Sequence, residues 1–111
     1  MFSAQILINT KVINIKSFNI KASDFKAYGT KIIEELEAYA KTVPQYKIAD
    51  DNREGIRVST ENGWFLLRLS VHDPVMPMNF ESNVEGGVEK DIDALRDFFS
   101  KFTELDTSAM N

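Results

Sequence analysis

Two stretches of the sequence carry apolar residues at the three- and four-residue spacing of a helix that buries one face. In the first stretch the apolar positions are Phe25, Tyr28, Ile32, Leu36, Tyr39 and Val43. Ser23 can cap this helix, and Pro44 ends it. In the second stretch, which Gly86 and Gly87 precede, the apolar positions are Val88, Ile92, Leu95, Phe99 and Phe102. The spacing therefore predicts two amphipathic helices.

Strands are indicated where β-branched and aromatic residues alternate with polar ones. This pattern predicts strands at residues 12–20, 45–48, 56–59, 64–69 and 75–81. Asn62 and Gly63 separate two of these strands, and this pair is typical of a tight hairpin turn with positive φ angles. Pro77 lies inside the last strand, and because proline lacks an N–H donor it indicates an edge position or a bulge.

The order of the elements is one strand, a helix, several strands joined by short turns, and a second helix. This order predicts the α+β class, with an antiparallel sheet and two helices packed on one face. We expect one globular domain at residues 11–103, because 111 residues with 43% hydrophobic side chains suffice for a single core. Residues 1–10 are expected to be a hinge or leader segment, and residues 104–111 a polar tail.

The composition narrows the classes of function. A formal net charge of −4 at pH 7 repels nucleic acid over most of the surface and disfavours a DNA or RNA partner. The longest apolar runs, such as residues 6–8 and 64–67, are far shorter than the roughly 20 residues of a membrane span, so no membrane partner is expected. The sequence has no cysteine, which is the usual pattern of a reducing compartment, and we expect a cytoplasmic location.

One loop between two predicted strands, residues 68–74, carries the ingredients of a specific binding site. The guanidinium of Arg68 offers a fixed set of donors that suits the oxygens of a phosphate or carboxylate. The hydroxyl of Ser70, two residues further on, lies on the same side of an extended chain. A turn after Ser70 would let successive backbone N–H groups converge on the same anion. On the pattern alone, the commoner arrangement is a hairpin arginine in a surface salt bridge.

Other chemistry has weaker support in the sequence. His72, the only histidine, stands beside Asp73, but neighbouring residues in an extended segment point to opposite sides and are poorly placed to form a base with its orienting carboxylate. One histidine among scattered acids provides no metal-ligand spacing, and residues 50–52 lack the glycine and glutamate of a calcium loop. Trp64 is expected to pack on the sheet. We therefore predict no catalytic residue and no metal site in this chain.

An ordered set of short motifs gives the chain a family resemblance. The motifs are Gly55-Ile56-Arg57-Val58, Gly63-Trp64, Arg68-x-Ser70, Pro74-Val75 and Phe80-Glu81. In this order and spacing, together with the predicted strands and helices, they resemble the C-terminal domain of the α-D-phosphohexomutases, which include phosphoglucomutases and phosphomannomutases. The resemblance covers roughly residues 11–102, nearly the whole chain.

The resemblance implies a fold similar to that of the TATA-binding protein and a phosphate site in the loop that starts at Arg68. In the family this loop typically reads Arg-x-Ser-Asn-Thr-x-Pro and grips the phosphate of the sugar. Arg68 and Ser70 match the family's phosphate ligands. Val71 stands where asparagine is usual and can offer only its backbone N–H, whereas His72 replaces the usual threonine and can donate from its imidazole. The implied phosphate-binding residues are therefore Arg68, Ser70, Val71 and His72.

The resemblance also implies which parts of the enzyme lie elsewhere. The sequence lacks the family's Thr-Ala-Ser-His-Asn-Pro-like nucleophile loop, its Asp-Gly-Asp-x-Asp metal loop and its Gly-Glu-x-Ser-Gly sugar loop. Transfer of a phosphoryl group through a phosphoserine needs that serine and a magnesium ion. The implied role is to bind the non-transferring phosphate of a hexose phosphate, for an isomerase whose catalytic serine and Mg²⁺ belong to upstream domains of the same chain. The isolated domain is predicted to be inactive, and no cofactor is expected in it.

Two other functions are compatible with the predicted fold. The first is a free-standing protein-interaction module that keeps the fold while Arg68 has only a structural role. The second, nucleic-acid binding by analogy with the TATA-binding fold, is disfavoured by the acidic charge balance.

Overall fold

The computed structural model describes residues 11–50 and 55–111. Its elements in chain order are β1 (Val12–Ile20), α1 (Phe25–Ala40), β2 (Lys47–Ile48), β3 (Gly55–Ser59), β4 (Gly63–Arg68), β5 (Val75–Ser82), α2 (Gly87–Ser100), β6 (Leu105–Asp106) and a short 3-10 helix (Ser108–Met110). The hinge or leader predicted at residues 1–10 lies outside the described residues.

The strands form one antiparallel sheet. Within the described residues it has six strands in the order β2-β3-β4-β5-β1-β6, and each neighbouring pair runs antiparallel. Side chains alternate along each strand between an inner face, covered by α1 and α2, and an outer face that no described helix covers. The predicted α+β architecture is therefore confirmed.

A cluster of apolar side chains fills the space between the inner face and the helices. Phe18, Phe65 and Phe80 of the sheet are fully buried in it, and the ring of Phe18 lies 5.3 Å from the ring of Phe99 on α2. Each such side chain contributes about 1.5–3 kcal/mol of burial free energy. The predicted apolar faces of the two helices are confirmed at Ile32, Leu36, Val88, Ile92, Leu95, Phe99 and Phe102, which are all buried.

The ends of α1 differ from the prediction. Its N-terminal cap is Asp24 and not Ser23, because the Asp24 carboxylate accepts a hydrogen bond from the N–H of Ala27 at 3.1 Å. The helix also ends at Ala40, ahead of Pro44. A proline thus marks the latest point at which a helix can end, while the actual end falls earlier.

The hairpin of β3 and β4 is confirmed, but the positive φ angles predicted at Asn62 and Gly63 are wrong. Among the described residues only Gly86 has a φ angle in the left-handed region, at 73°. The turn is instead stabilised by Thr60, whose hydroxyl oxygen accepts hydrogen bonds from the N–H groups of Asn62 and Gly63, each at 3.0 Å. A side-chain acceptor therefore holds this turn, with ordinary backbone angles.

Pro77 lies in an interior strand, so the prediction of an edge position or a bulge is wrong. β5 pairs with β4 on one side and with β1 on the other, and Pro77 is opposite Ser17 of β1 in an uninterrupted register. The pairing of β4 with β5 ends at Leu67 and Met78, one residue before Pro77 is reached. The missing N–H therefore falls opposite Arg68 at the end of β4, and it interrupts the ladder only between the Leu67–Met78 pair and the Ser70–Val75 hydrogen bond.

Residues 104–111, predicted to be a polar tail, contribute to the fold. Leu105 and Asp106 form β6, which pairs with the C-terminal end of β1. Leu105 and Met110 are buried, at 5% and 3% exposure. Two apolar residues among polar ones are too sparse a pattern to predict an element. They are buried because this segment pairs with the edge of β1 and so lies against the core.

Candidate functional site

The candidate loop closes the hairpin of β4 and β5. Arg68 is the last residue of β4, and the N–H of Ser70 donates to the carbonyl of Val75 at 3.0 Å, so strand-like pairing extends past the end of β4. Residues 71–74 form the turn beyond this pair. Inside it, the Ser70 hydroxyl oxygen accepts a hydrogen bond from the N–H of Asp73 at 3.3 Å. Ser70 therefore also shapes the loop.

The structure brings Arg68 and Ser70 to the same side of the sheet. Phe65 and Leu67 are fully buried on the inner face, so Arg68, the next residue, belongs to the outer face. Ser70 keeps this alternation, because it still pairs with Val75. The guanidinium and the hydroxyl both lie on the side that no described helix covers.

Arg68 has no acidic partner in the part of the chain that the structure describes. The hairpin salt bridge considered above is thus not formed with any described residue. The side chain is partly buried, and a partly desolvated guanidinium attracts an anion more strongly than a fully hydrated one. Its fork of N–H donors is available to a ligand.

Val71 and His72 lie exposed at the tip of the loop, Val71 with 66% exposure. Neither backbone N–H donates to another described residue, so both can bond to an anion. No hydrogen bond joins His72 to Asp73 in the described part of the chain, which leaves the base-and-carboxylate hypothesis without support. The carbonyl of Pro74 accepts a hydrogen bond from the N–H of Ile20 at 2.7 Å and so anchors the loop to β1.

Leu69, between the two candidate ligands, packs against the core. It meets α1 at Gly29, where a Cβ atom would lie 2.5 Å from the Cδ1 atom of Leu69. Because the glycine leaves room for this side chain, α1 supports the base of the loop directly. This contact was not predicted from the sequence. The available signal was a glycine within an amphipathic helix, where it costs about 1 kcal/mol relative to alanine.

A second polar cluster lies at the other end of β4. Asp91 of α2, only 3% exposed, accepts hydrogen bonds from the Thr60 hydroxyl at 2.9 Å and from the Asn62 amide at 3.2 Å. The buried Ser82 hydroxyl donates to the carbonyl of Asn62. These bonds tie the turn of β3 and β4 to the first turns of α2. This cluster was not predicted from the sequence either, although an acid on the apolar face of the second helix was a signal for it.

The cluster borders a cavity of about 330 Å³. Its lining includes Tyr39, Tyr46, Glu61, Lys90 and Asp91. Burial, with smaller contributions from Tyr39 and Asp91, raises the pKa of Tyr46 to about 12, so the phenol is protonated at neutral pH. Burial also raises the pKa of Asp91, although the hydrogen bonds from Asn62 and Thr60 oppose that shift. A carboxylate engaged in two internal hydrogen bonds favours a structural role for this cluster.

Metal chemistry and membrane insertion gain no support from the described residues. They contain no group of three or more His, Asp or Glu side chains that could hold a metal ion. These residues therefore do not fit the magnesium ion that the resemblance assigns to upstream domains. No described helix is both long and apolar enough to cross a membrane.

Comparison with known proteins finds a similar fold in one part of a larger protein of known structure. A crystal structure of a phosphoglucomutase/phosphomannomutase family protein from Burkholderia thailandensis matches 90% of this chain, with a TM-score of 0.61 and 21% sequence identity. The matched region is only 19% of that protein's chain. The sequence matches no protein-family model and no curated protein. At 21% identity the likeness establishes a shared fold, the antiparallel sheet with helices on one face.

Proposed function

We propose that this chain is the C-terminal, phosphate-binding domain of a phosphohexomutase. The observation that carries the proposal is the placement of Arg68, a guanidinium without a described acidic partner, on the same side of the sheet as Ser70. The motif resemblance and the fold shared with part of a phosphoglucomutase/phosphomannomutase family chain support the same assignment.

The ligand of this loop is the phosphate of a hexose phosphate. Two N–H groups of Arg68 suit two phosphate oxygens, and the Ser70 hydroxyl adds a third donor beside them. The backbone N–H groups of Val71 and His72 complete a small nest, and the His72 imidazole adds a donor at its rim. Because the chain as a whole has a net charge of −4, this local set of donors determines where an anion binds.

The domain's task is to hold the phosphate that is not transferred and so to orient the sugar. Orienting a substrate in this way contributes to catalysis without any reacting group in the domain itself. The phosphoryl transfer belongs to upstream domains of a longer chain, which supply the serine and the Mg²⁺. The isolated chain is then an inactive part of a cytoplasmic isomerase of carbohydrate metabolism.

Titration with inorganic phosphate and with glucose 1-phosphate, followed by amide chemical shifts, tests the proposal. We expect weak binding, with Kd on the order of millimolar because one loop supplies few contacts, and shifts clustered at residues 68–73. Arg68→Ala should abolish these shifts while the rest of the spectrum stays folded. Arg57→Ala is the matched control, since this guanidinium lies on the same outer face but is held 4.2 Å above the ring of Trp64.

The outcomes separate a specific site from general attraction of anions. Equal losses in the Arg57 and Arg68 variants would mean that only overall charge matters. Shifts that appear away from the loop, or that survive Arg68→Ala, would contradict the proposed site.

A second candidate function is a free-standing protein-interaction module. It is favoured by two large apolar side chains on the outer face of β1, Ile13 and Ile15, which are 59% and 69% exposed. Such a module would show no phosphate-dependent shifts in the same titration.

A further inference from the structure

Most of β1 has an open edge. On one side β1 pairs with β5 over eight residues, from Val12 to Asn19. On the other side β6 reaches only Asn19 and Ile20. Residues 12–18 thus form no strand pairing with a described residue on the side away from β5, and the 3-10 helix Ser108–Met110 is their neighbour near β6.

The direction of each backbone group along β1 follows from two hydrogen bonds. The N–H of Ile20 donates to the carbonyl of Pro74, at the start of β5, whereas the N–H of Lys21 donates to the carbonyl of Glu104, beside β6. Because backbone groups alternate in direction along a strand, the even-numbered residues of β1 face β5 and the odd-numbered residues face the open edge. Three residues, Ile13, Ile15 and Ser17, therefore each direct an N–H and a C=O to that side, where no described residue bonds to them.

This edge lacks two of the features with which proteins usually protect an open strand, a proline and a bulge, and carries a third, the charge of Lys16 on the inner face. Edge strands are commonly protected by proline, a bulge or an inward-pointing charge. Residues 12–18 contain no proline, and their register with β5 is continuous. Ile13 and Ile15, at 59% and 69% exposure, form an apolar pair on the outer face beside the unpaired backbone groups. The edge therefore combines hydrogen-bonding capacity with exposed apolar surface.

We propose that the open edge of β1 pairs with the same edge of a second copy of this chain. The two strands run antiparallel about a two-fold axis, with Ile13 of one copy opposite Ile15 of the other. Both residues of this pair present their backbone groups outward, so they can exchange two hydrogen bonds, and the symmetry repeats the pair. All four isoleucine side chains then lie side by side on one face of a continuous sheet.

The charges of β1 are compatible with this self-pairing. In the proposed register Lys16 of one copy is opposite Val12 of the other, and Lys11 is opposite Ser17. No two lysines face each other directly, so the pairing avoids a like-charge contact.

The opposite edge of the sheet explains why assembly would stop at two copies. A head-to-tail arrangement would pair β1 with β2, but β2 has only two residues, Lys47 and Ile48. Such a contact offers few hydrogen bonds, whereas two β1 edges match in length and close the assembly. A single strand pair buries less area than the roughly 1,600 Å² of a standard stable interface, so the dimer is weak.

The test is the mass of the full chain in solution as a function of concentration. We expect monomer at about 10 µM and substantial dimer at about 1 mM, the range of a small interface. Ile15→Lys should abolish the dimer, because it places two like charges next to each other across the axis. Val84→Lys, which also adds a lysine at an exposed apolar position, is the matched control and should leave the dimer intact.

Amide signals of the unmodified chain provide a second, residue-level measurement. On dimerisation the N–H groups of Ile13, Ile15 and Ser17 should shift and gain protection from exchange. Those of Asn14 and Lys16 should change least, because they already face β5. Three results would each overturn the proposal. The chain could stay monomeric at about 1 mM, or the dimer could persist in the Ile15→Lys variant. The third is protection from exchange that is equal at odd- and even-numbered residues of β1.

Discussion

Replacement of Asp91 by alanine should destabilise the protein far more than replacement of an exposed acid on the same helix. Its carboxylate accepts hydrogen bonds from Thr60 at 2.9 Å and from Asn62 at 3.2 Å, and the residue is 3% exposed. The variant leaves both donors without their partner at the turn of β3 and β4. It also removes the link between that turn and α2.

The expected magnitude follows from these two bonds. A buried donor left unpaired costs about 1–3 kcal/mol, and the partial exposure of Thr60 and Asn62 favours the lower part of this range for each. Part of this cost is offset, because the variant no longer has to bury a charged carboxylate, which is itself unfavourable. We therefore expect a loss of about 2 kcal/mol in the free energy of unfolding, or about 10 °C in Tm for a domain of this size.

Urea denaturation of the wild type and the variant measures this loss directly. Asp93→Ala is the matched control, since Asp93 lies two residues further along α2, is exposed and, among the described residues, forms its ion pair with Arg96 on the surface. The control should change the free energy of unfolding by less than about 0.5 kcal/mol. Equal effects of the two substitutions would refute the role assigned to the Asp91 cluster.

Because the pKa of Asp91 is raised in the folded protein, its contribution to the free energy of unfolding depends on pH. Burial raises this pKa above its ordinary value of 3.8, so the folded protein binds the proton more tightly than the unfolded chain. The contribution of this proton to stability is complete below pH 3.8 and is lost as the pH rises through the raised pKa of the folded state. The Asp91→Asn variant, which cannot titrate, should therefore lose less stability than the wild type as the pH is raised. A parallel pH dependence of Tm in the two proteins would contradict this assignment.

Two further predictions concern close packing at glycines. Gly29→Ala should change the free energy of unfolding by less than about 1 kcal/mol, because the higher helix propensity of alanine offsets the displacement of Leu69. It should nevertheless weaken phosphate binding several-fold in the titration described above. Unchanged binding would show that α1 does not support the loop. Gly63→Ala should lower the free energy of unfolding, measured by urea denaturation, by about 3 kcal/mol or more, because the added Cβ would overlap the backbone of Glu81. Gly86 has a φ of 73° and lies in open space, so Gly86→Ala should lower it by about 1–2 kcal/mol. The reverse order would refute the packing argument.

The parts of the fold that could be predicted are those in which burial imposes a period on the sequence. Val88, Ile92 and Leu95 recur at helical spacing because one face of α2 meets the core, and they are buried as expected. The turn after Thr60 could not be predicted from Asn62 and Gly63, because a side-chain hydrogen bond replaced the expected backbone geometry. Strand order is equally hidden, since the pairing of distant strands leaves no local pattern.

In the candidate site too, features that depend on neighbouring residues could be predicted, whereas contacts between distant residues could not. That Arg68 and Ser70 share one side of the chain follows from alternation alone, and the hydrogen bond from Ser70 to Val75 is consistent with that alternation. The contact of Leu69 with Gly29 joins positions forty residues apart in sequence, so no local pattern could indicate it. The role of the loop in binding phosphate stays a prediction until it is titrated.

The position of the two polar clusters at opposite ends of β4 has a consequence for how such a domain can diverge. β4 has six residues, so the loop that starts at Arg68 and the turn held by Asp91 are about 20 Å apart. Substitutions in residues 71–74 can therefore accumulate without loosening the turn that Asp91 holds. Under the proposed function, homologous domains can vary their ligand preference through those four residues, and a designer could exchange the loop while the rest of the scaffold is kept unchanged.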